Sequence, residues 1–150
     1  MIRKSKILPN LPIQISHRIL TGKVIQDNHP FELKDVIHLP ECLANPIAVF
    51  LSATTAGDVK VVLTEMEADG INIVVIIKPA RKVKDAIVND VRSIYPRSKI
   101  RPILEWISRN DLMEYCDKEK ILKWLTKHQY NPGEVNKLLK DCTNIISKME

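Results

Sequence analysis

Arg92, Ser93, Tyr95 and Arg97 stand within six residues of one another, at the end of an apolar, β-prone run that Pro96 stops. Two guanidiniums, a hydroxyl and a phenol in one place exceed what a solvated strand end needs. Guanidinium forks match the oxygens of a phosphate, and hydroxyls can hydrogen-bond them. The quartet therefore reads as a site for a phosphate-bearing ligand. On a strand, Ser93 and Tyr95 share one face, while Arg92 points away unless a bulge intervenes. Each residue also has a plainer role. The two arginines suit a solvated strand end, Tyr95 suits a core edge, and Ser93 is a small polar strand residue.

The charge around this quartet is concentrated. The chain has 150 residues, a net charge of +5 and a pI of about 9.1. Eight Lys or Arg between Lys78 and Arg101 face only Asp85 and Asp90, so this one block exceeds the net charge of the whole chain. A basic surface of this kind fits nucleic acid or another polyanion. With 45% hydrophobic and 27% charged residues, the composition is that of a globular chain rather than a disordered one. Only four glycines are present, which speaks against a Gly-rich cofactor loop, and no cofactor is expected.

Acid–base and metal candidates are few. His29, between Asn28 and Pro30, stands at a helix entrance, as an N-terminal turn residue or as a general base, the role open to an imidazole because its unperturbed form titrates at about pH 6.5. His17 and His38 are scattered, His128 belongs to the apolar stripe of a helix, and no HExxH or HxH spacing occurs. The acidic EMEAD cluster, residues 65–69, reads as a solvated hairpin turn, so no metal site is expected. Cys42, Cys116 and Cys142 are widely spaced and read as reduced, buried thiols, with a cytoplasmic place of action. No stretch approaches the roughly 20 apolar residues of a membrane span.

Several elements must position these groups. Residues 1–12, with Pro9 and Pro12, read as a flexible arm. Residues 13–24 lack a clean period. Two short helices follow, the second opened by Pro40 and closed by Asn45-Pro46. Strand-like runs occupy 46–52, 59–65, 71–78 (ending at Pro79) and 86–95. A helix at 100–110 leads to LMEY, 112–115, as a further strand, and Asp117 caps the helix that follows. From Asn131, a helix with a capping-box spacing to Glu134 carries one apolar stripe. The expected fold is α+β: short N-terminal helices, a four-stranded antiparallel sheet that LMEY would extend to five, and C-terminal helices. A domain over 13–128 would carry a helical appendage over 129–150.

Taken in order, NHP (28–30), LPECLANPIAVF (39–50), VVLTE (61–65), INIVVII (71–77), RSIY (92–95), EWI (105–107), LMEY (112–115) and KEKILKWL (118–125) resemble a known group. It is the phage-associated, nuclease-like domains of the barnase–EndoU–colicin–RelE superfamily, found at the C-termini of phage head-morphogenesis proteins and in polyvalent proteins of mobile elements. The resemblance covers roughly residues 15–126. It implies N-terminal helices on a four-stranded antiparallel sheet. It also implies a metal-independent ribonuclease, a toxin or effector of a phage or mobile element, in which the RNA 2′-hydroxyl attacks the adjacent phosphate. That chemistry needs a base, an acid and cations for the pentacoordinate phosphate. By the same resemblance His29 is the base or acid, and Arg92 or Arg97 neutralises the phosphate. Ser93 and Tyr95 bond the phosphate or support the acid, and Lys118 and Lys120 contact the RNA backbone. RNA is the expected partner, beside an immunity or phage structural protein, with no membrane. The alternative is a non-catalytic module on the same scaffold that binds RNA or a protein.

Overall fold

The computed structural model describes residues 8–16, 19, 34, 37–52, 58–97, 101–108 and 112–128. His29, the first of the two expected short helices (apart from Lys34 and Ile37) and the helix expected from Asn131 lie outside the described residues. The elements are β1 (Ile13–Ile15), α1 (Leu39–Ala44), β2 (Ala48–Leu51), β3 (Lys60–Ala68), β4 (Ile71–Val83), β5 (Ala86–Pro96), α2 (Arg101–Ser108), β6 (Met113–Cys116) and α3 (Lys118–Lys127). They form an α+β fold around one six-stranded sheet of order β1-β5-β4-β3-β2-β6.

The sheet is mixed, which corrects the expectation of four or five antiparallel strands. β1 pairs with β5 in parallel, with Ile13 opposite Asn89, and the other pairings are antiparallel. β1 is three residues long, too short to show an alternating pattern in the sequence. A distant side chain secures the segment leading into it. Asn89, 1% exposed, donates from Nδ2 to the carbonyls of Pro9 (2.8 Å) and Leu11 (3.3 Å), and its backbone N–H bonds Pro12 O at 2.8 Å.

β4 lies third in the sheet and is covered on both faces, which is why INIVVII is nearly unbroken apolar sequence. Val74 joins Phe50, Leu63, Tyr95, Ile103, Ile107 and Trp124 on the face covered by α2 and α3. Ile73, Val75 and Ile77 join Leu39, Leu43, Val62, Val91 and Ile94 on the face of α1. Each fully buried aliphatic side chain contributes roughly 1.5–3 kcal/mol.

Two strand ends differ from the sequence expectation. β3 continues through Glu65 and Glu67 to Ala68, and the turn is Asp69–Gly70 alone, with φ of 52° and 78°. Positive φ at both central residues is the type I′ geometry that Asp-Gly favours in hairpins. β4 does not end at Pro79. It runs on to Val83 because a register shift between Lys78 and Arg81, with Ala80 at φ 49°, absorbs the proline that lacks an N–H. The expectation of three reduced thiols is also corrected. Cys116 is disulfide-bonded, and Cys42 is free.

Candidate functional site

Tyr95 and Arg97 come together at the end of β5. Tyr95 is 6% exposed, and its ring belongs to the core beneath α2. Its hydroxyl accepts a hydrogen bond from Arg97 Nη1 at 3.2 Å. The guanidinium carbon lies 5.8 Å from the Tyr95 ring centroid and 5.5 Å from that of Trp106. Trp106 is braced in turn by Phe50, centroids 5.7 Å apart. Arg97 is thus a half-buried cation backed by aromatic rings. Its Nε is buried and has no hydrogen-bond partner, which leaves a desolvated donor on a positive group. The strand end that carries it is fixed, because Arg97 N–H donates to Asn72 O at 3.0 Å.

Arg92 occupies a bulge. Ser93 pairs with Ile76 and Val91 with Ile77, so Arg92 has no β4 residue of its own. The inserted residue puts Val91 and Ile94, three apart, on the same buried face. Strict alternation would have separated them. Arg92 reaches back to Asp90 at 3.6 Å, and Arg81 holds the same carboxylate. Asp90 stands opposite Lys78 and Tyr95 opposite Val74. Four residues on β4 correspond to roughly 13 Å along the strand. Ser93 is half-buried between these two groups and alternates onto the Tyr95 face.

The two lysines separate. Lys118 is exposed on the first turn of α3. Lys120 points into a cleft, 2.9 Å from Glu65 Oε1, and donates to Asn45 O at 2.7 Å. This cleft, of about 220 Å³, lies between α3 and the ends of β3 and β4. Its walls carry Glu65, Glu67, Asn72, Lys120, Lys123 and Lys127, and its apolar floor is Ile47 and Trp124. Lys127 Nζ bonds Glu67 Oε1 at 2.5 Å and Asn72 Oδ1 at 3.0 Å. Asn72 Nδ2 donates to Thr64 O at 3.0 Å, so this buried amide is fixed at both ends. Asn72 therefore joins the two regions: its side chain lines the cleft, and its carbonyl holds Arg97.

Sequence reasoning missed this cleft. Lys120, Lys123 and Lys127 at i, i+3 and i+7 form one helical face beside Trp124, and that spacing was the available signal. The EMEAD segment supplied the opposing carboxylates, from a strand rather than a solvated turn. His128 ends α3 with its ring 4.8 Å from Trp124. Burial, and then the charge of Lys127, push its pKa below the ordinary imidazole value, and Glu67 opposes them. Its Nε2 is buried without a partner.

The described residues form an α+β domain with an aromatic-backed arginine at one sheet end and a cleft lined by lysines and glutamates beside it. The family model described as the phage MuF C-terminal domain matches residues 21–123, more than half of the chain, and the protein belongs to that phage-associated family. No curated protein and no solved structure matches the chain. No helix among the described residues is long and apolar enough to cross a membrane.

Proposed function

We propose that this phage-family domain binds RNA at the end of β5 and cleaves it without a metal ion. The observation that carries the reading is Arg97, a guanidinium seated on Tyr95 and Trp106 with its Nε desolvated. A cation held in this way has lost water and part of its conformational freedom before any ligand arrives. It meets a phosphate with less ordering cost than a solvated arginine. The Tyr95 hydroxyl, already accepting from Arg97, keeps its own proton for a phosphate oxygen or for the leaving group. Ser93 adds a hydroxyl on the same face. Arg92, tied to Asp90, would guide the strand of RNA along the sheet rather than touch the same phosphate. His29 remains the proposed acid or base on the resemblance described above.

The test is incubation of the full chain with total RNA and with tRNA in excess EDTA, beside Arg97→Ala and His29→Ala. Cleavage by the wild type that both variants lose supports the reading. Equal cleavage by all three places the activity elsewhere. RNA that is bound at low salt and left intact, with binding lost in Arg97→Ala, replaces the nuclease by a binding module on the same corner.

A further inference from the structure

The cleft between α3 and the ends of β3 and β4 has a charge pattern that its internal ion pairs leave incomplete. Lys120, Lys123 and Lys127 follow one another at single-turn spacing on one helix face, so like charges crowd along the wall. Glu65 takes Lys120, and Glu67 takes Lys127. Lys123, between them, has no carboxylate partner among the described residues. The wall thus presents one uncompensated ammonium between two that are held in place.

We propose that this cleft binds the phosphate and ribose of a nucleoside monophosphate. The phosphate sits at Lys123, where the flanking ammonium groups of Lys120 and Lys127 add to the field and share its oxygens. Glu65 and Glu67, each with a second carboxylate oxygen, accept from the ribose hydroxyls. Asn72, held by Thr64 O and Lys127, shapes the wall. Trp124 is 3% exposed, so its ring is a floor and not a stacking platform, and the base projects out of the cleft unread. A volume of about 220 Å³ suits this partial fit. It falls below the ~300–1,000 Å³ of pockets that enclose a drug-sized molecule. The nucleotide identity of the ligand rests on the RNA reading above, whereas the phosphate position rests on the cleft alone. Asn72 bridges cleft and corner, so the cleft would hold the nucleotide next to the one at Arg97.

The experiment is calorimetric titration of the full chain at low salt with adenosine and uridine 3′-monophosphates, and with inorganic phosphate for comparison. Lys123→Ala is the test variant. Lys82→Ala, exposed on the β4–β5 hairpin, removes the same charge elsewhere. The expected result is saturable binding of both nucleotides with similar affinity, at least about tenfold tighter than phosphate. Lys123→Ala should weaken it about tenfold or more, and Lys82→Ala should leave it unchanged. Absence of saturable binding, wild-type affinity in Lys123→Ala, or equal affinity for phosphate and nucleotides each overturns the proposal. An RNA assay on the same samples separates the two readings. Nucleotide binding without any RNA binding or cleavage sinks the RNA reading and keeps the cleft. RNA cleavage without nucleotide binding sinks the cleft alone.

Discussion

Arg97 donates to the hydroxyl of Tyr95 at 3.2 Å while its guanidinium carbon stands 5.8 Å from the ring of the same residue. One aromatic side chain therefore supports the cation in two ways, through its polar end and through its face. Residues two apart on an extended strand share a face, and Arg97 N–H still bonds Asn72 O next to the Ile73–Pro96 pair, so the continuing strand puts the guanidinium on the side of the Tyr95 ring.

Tyr95→Phe separates these two supports. The ring and the core packing remain, and the hydroxyl is lost both as acceptor for Arg97 Nη1 and as the proposed donor to RNA. We expect stability within about 1 kcal/mol of wild type and RNA affinity reduced roughly two- to tenfold. Arg97→Ala should cost more. Fluorescence titration of a labelled single-stranded RNA at low salt checks both. Unchanged affinity in both variants would show that the corner does not touch RNA.

Asn89→Ala probes the seam between β1 and β5. Its side chain donates to Pro9 O and Leu11 O, and its Oδ1 accepts from Ala80 N–H at 3.2 Å, where the β4 bulge turns. Removal takes these partners from part-buried backbone groups on two segments at once. The expected loss is about 2–4 kcal/mol. Thermal unfolding should register it as a fall of roughly 2–4 °C for each kcal/mol lost. A midpoint within one degree of wild type would mean that water replaces the amide fully.

These two sites mark the boundary of what the sequence reveals. The buried run INIVVII, the Asp117 cap, whose carboxylate accepts from Lys120 N–H at 3.1 Å, and the Pro-bounded α1 are local signals and were legible. Asn89 is different. It reads as an ordinary strand residue, and its role depends on a segment some 80 positions away. The bulge at Arg92 has no composition signal either, because it follows from how β4 and β5 register. Tyr95 and Arg97 were legible as a pair, yet not the Trp106 ring that completes their setting. The cleft was hidden for the same reason as Asn89: Lys127 and Glu67 meet across 60 positions, and spacing within α3 showed only one wall.

Cys42 should be a slow thiol. Burial raises its pKa first, and the nearby charges of Glu65 and Glu41 raise it further, against a smaller opposing effect of Lys120. Less thiolate is present at a given pH, and the thiolate is the nucleophile. Alkylation by iodoacetamide at pH 8, followed on the Cys42 peptide by mass spectrometry, should run slower than for glutathione. Glu65→Gln should speed it. A rate equal to that of the free thiol would contradict the burial of this group.

His128 makes stability depend on pH in a defined direction. Its folded pKa is lowered, chiefly by burial and then by Lys127, so the unfolded chain binds its proton more readily than the folded one. Above the unfolded value of about 6.5 the imidazole is neutral in both states and the folded form loses nothing. As pH falls below that value the unfolded state gains a proton that the folded state resists, and stability declines until the folded pKa is reached. His128→Phe keeps a ring against Trp124 and removes the titration. Urea midpoints at pH 7.5 and 5.5 give the comparison. The wild type should lose stability relative to His128→Phe on going to pH 5.5, and high salt should reduce only the part of that loss owed to Lys127. Parallel changes in the two proteins would show that His128 is as solvated folded as unfolded, contrary to its buried Nε2.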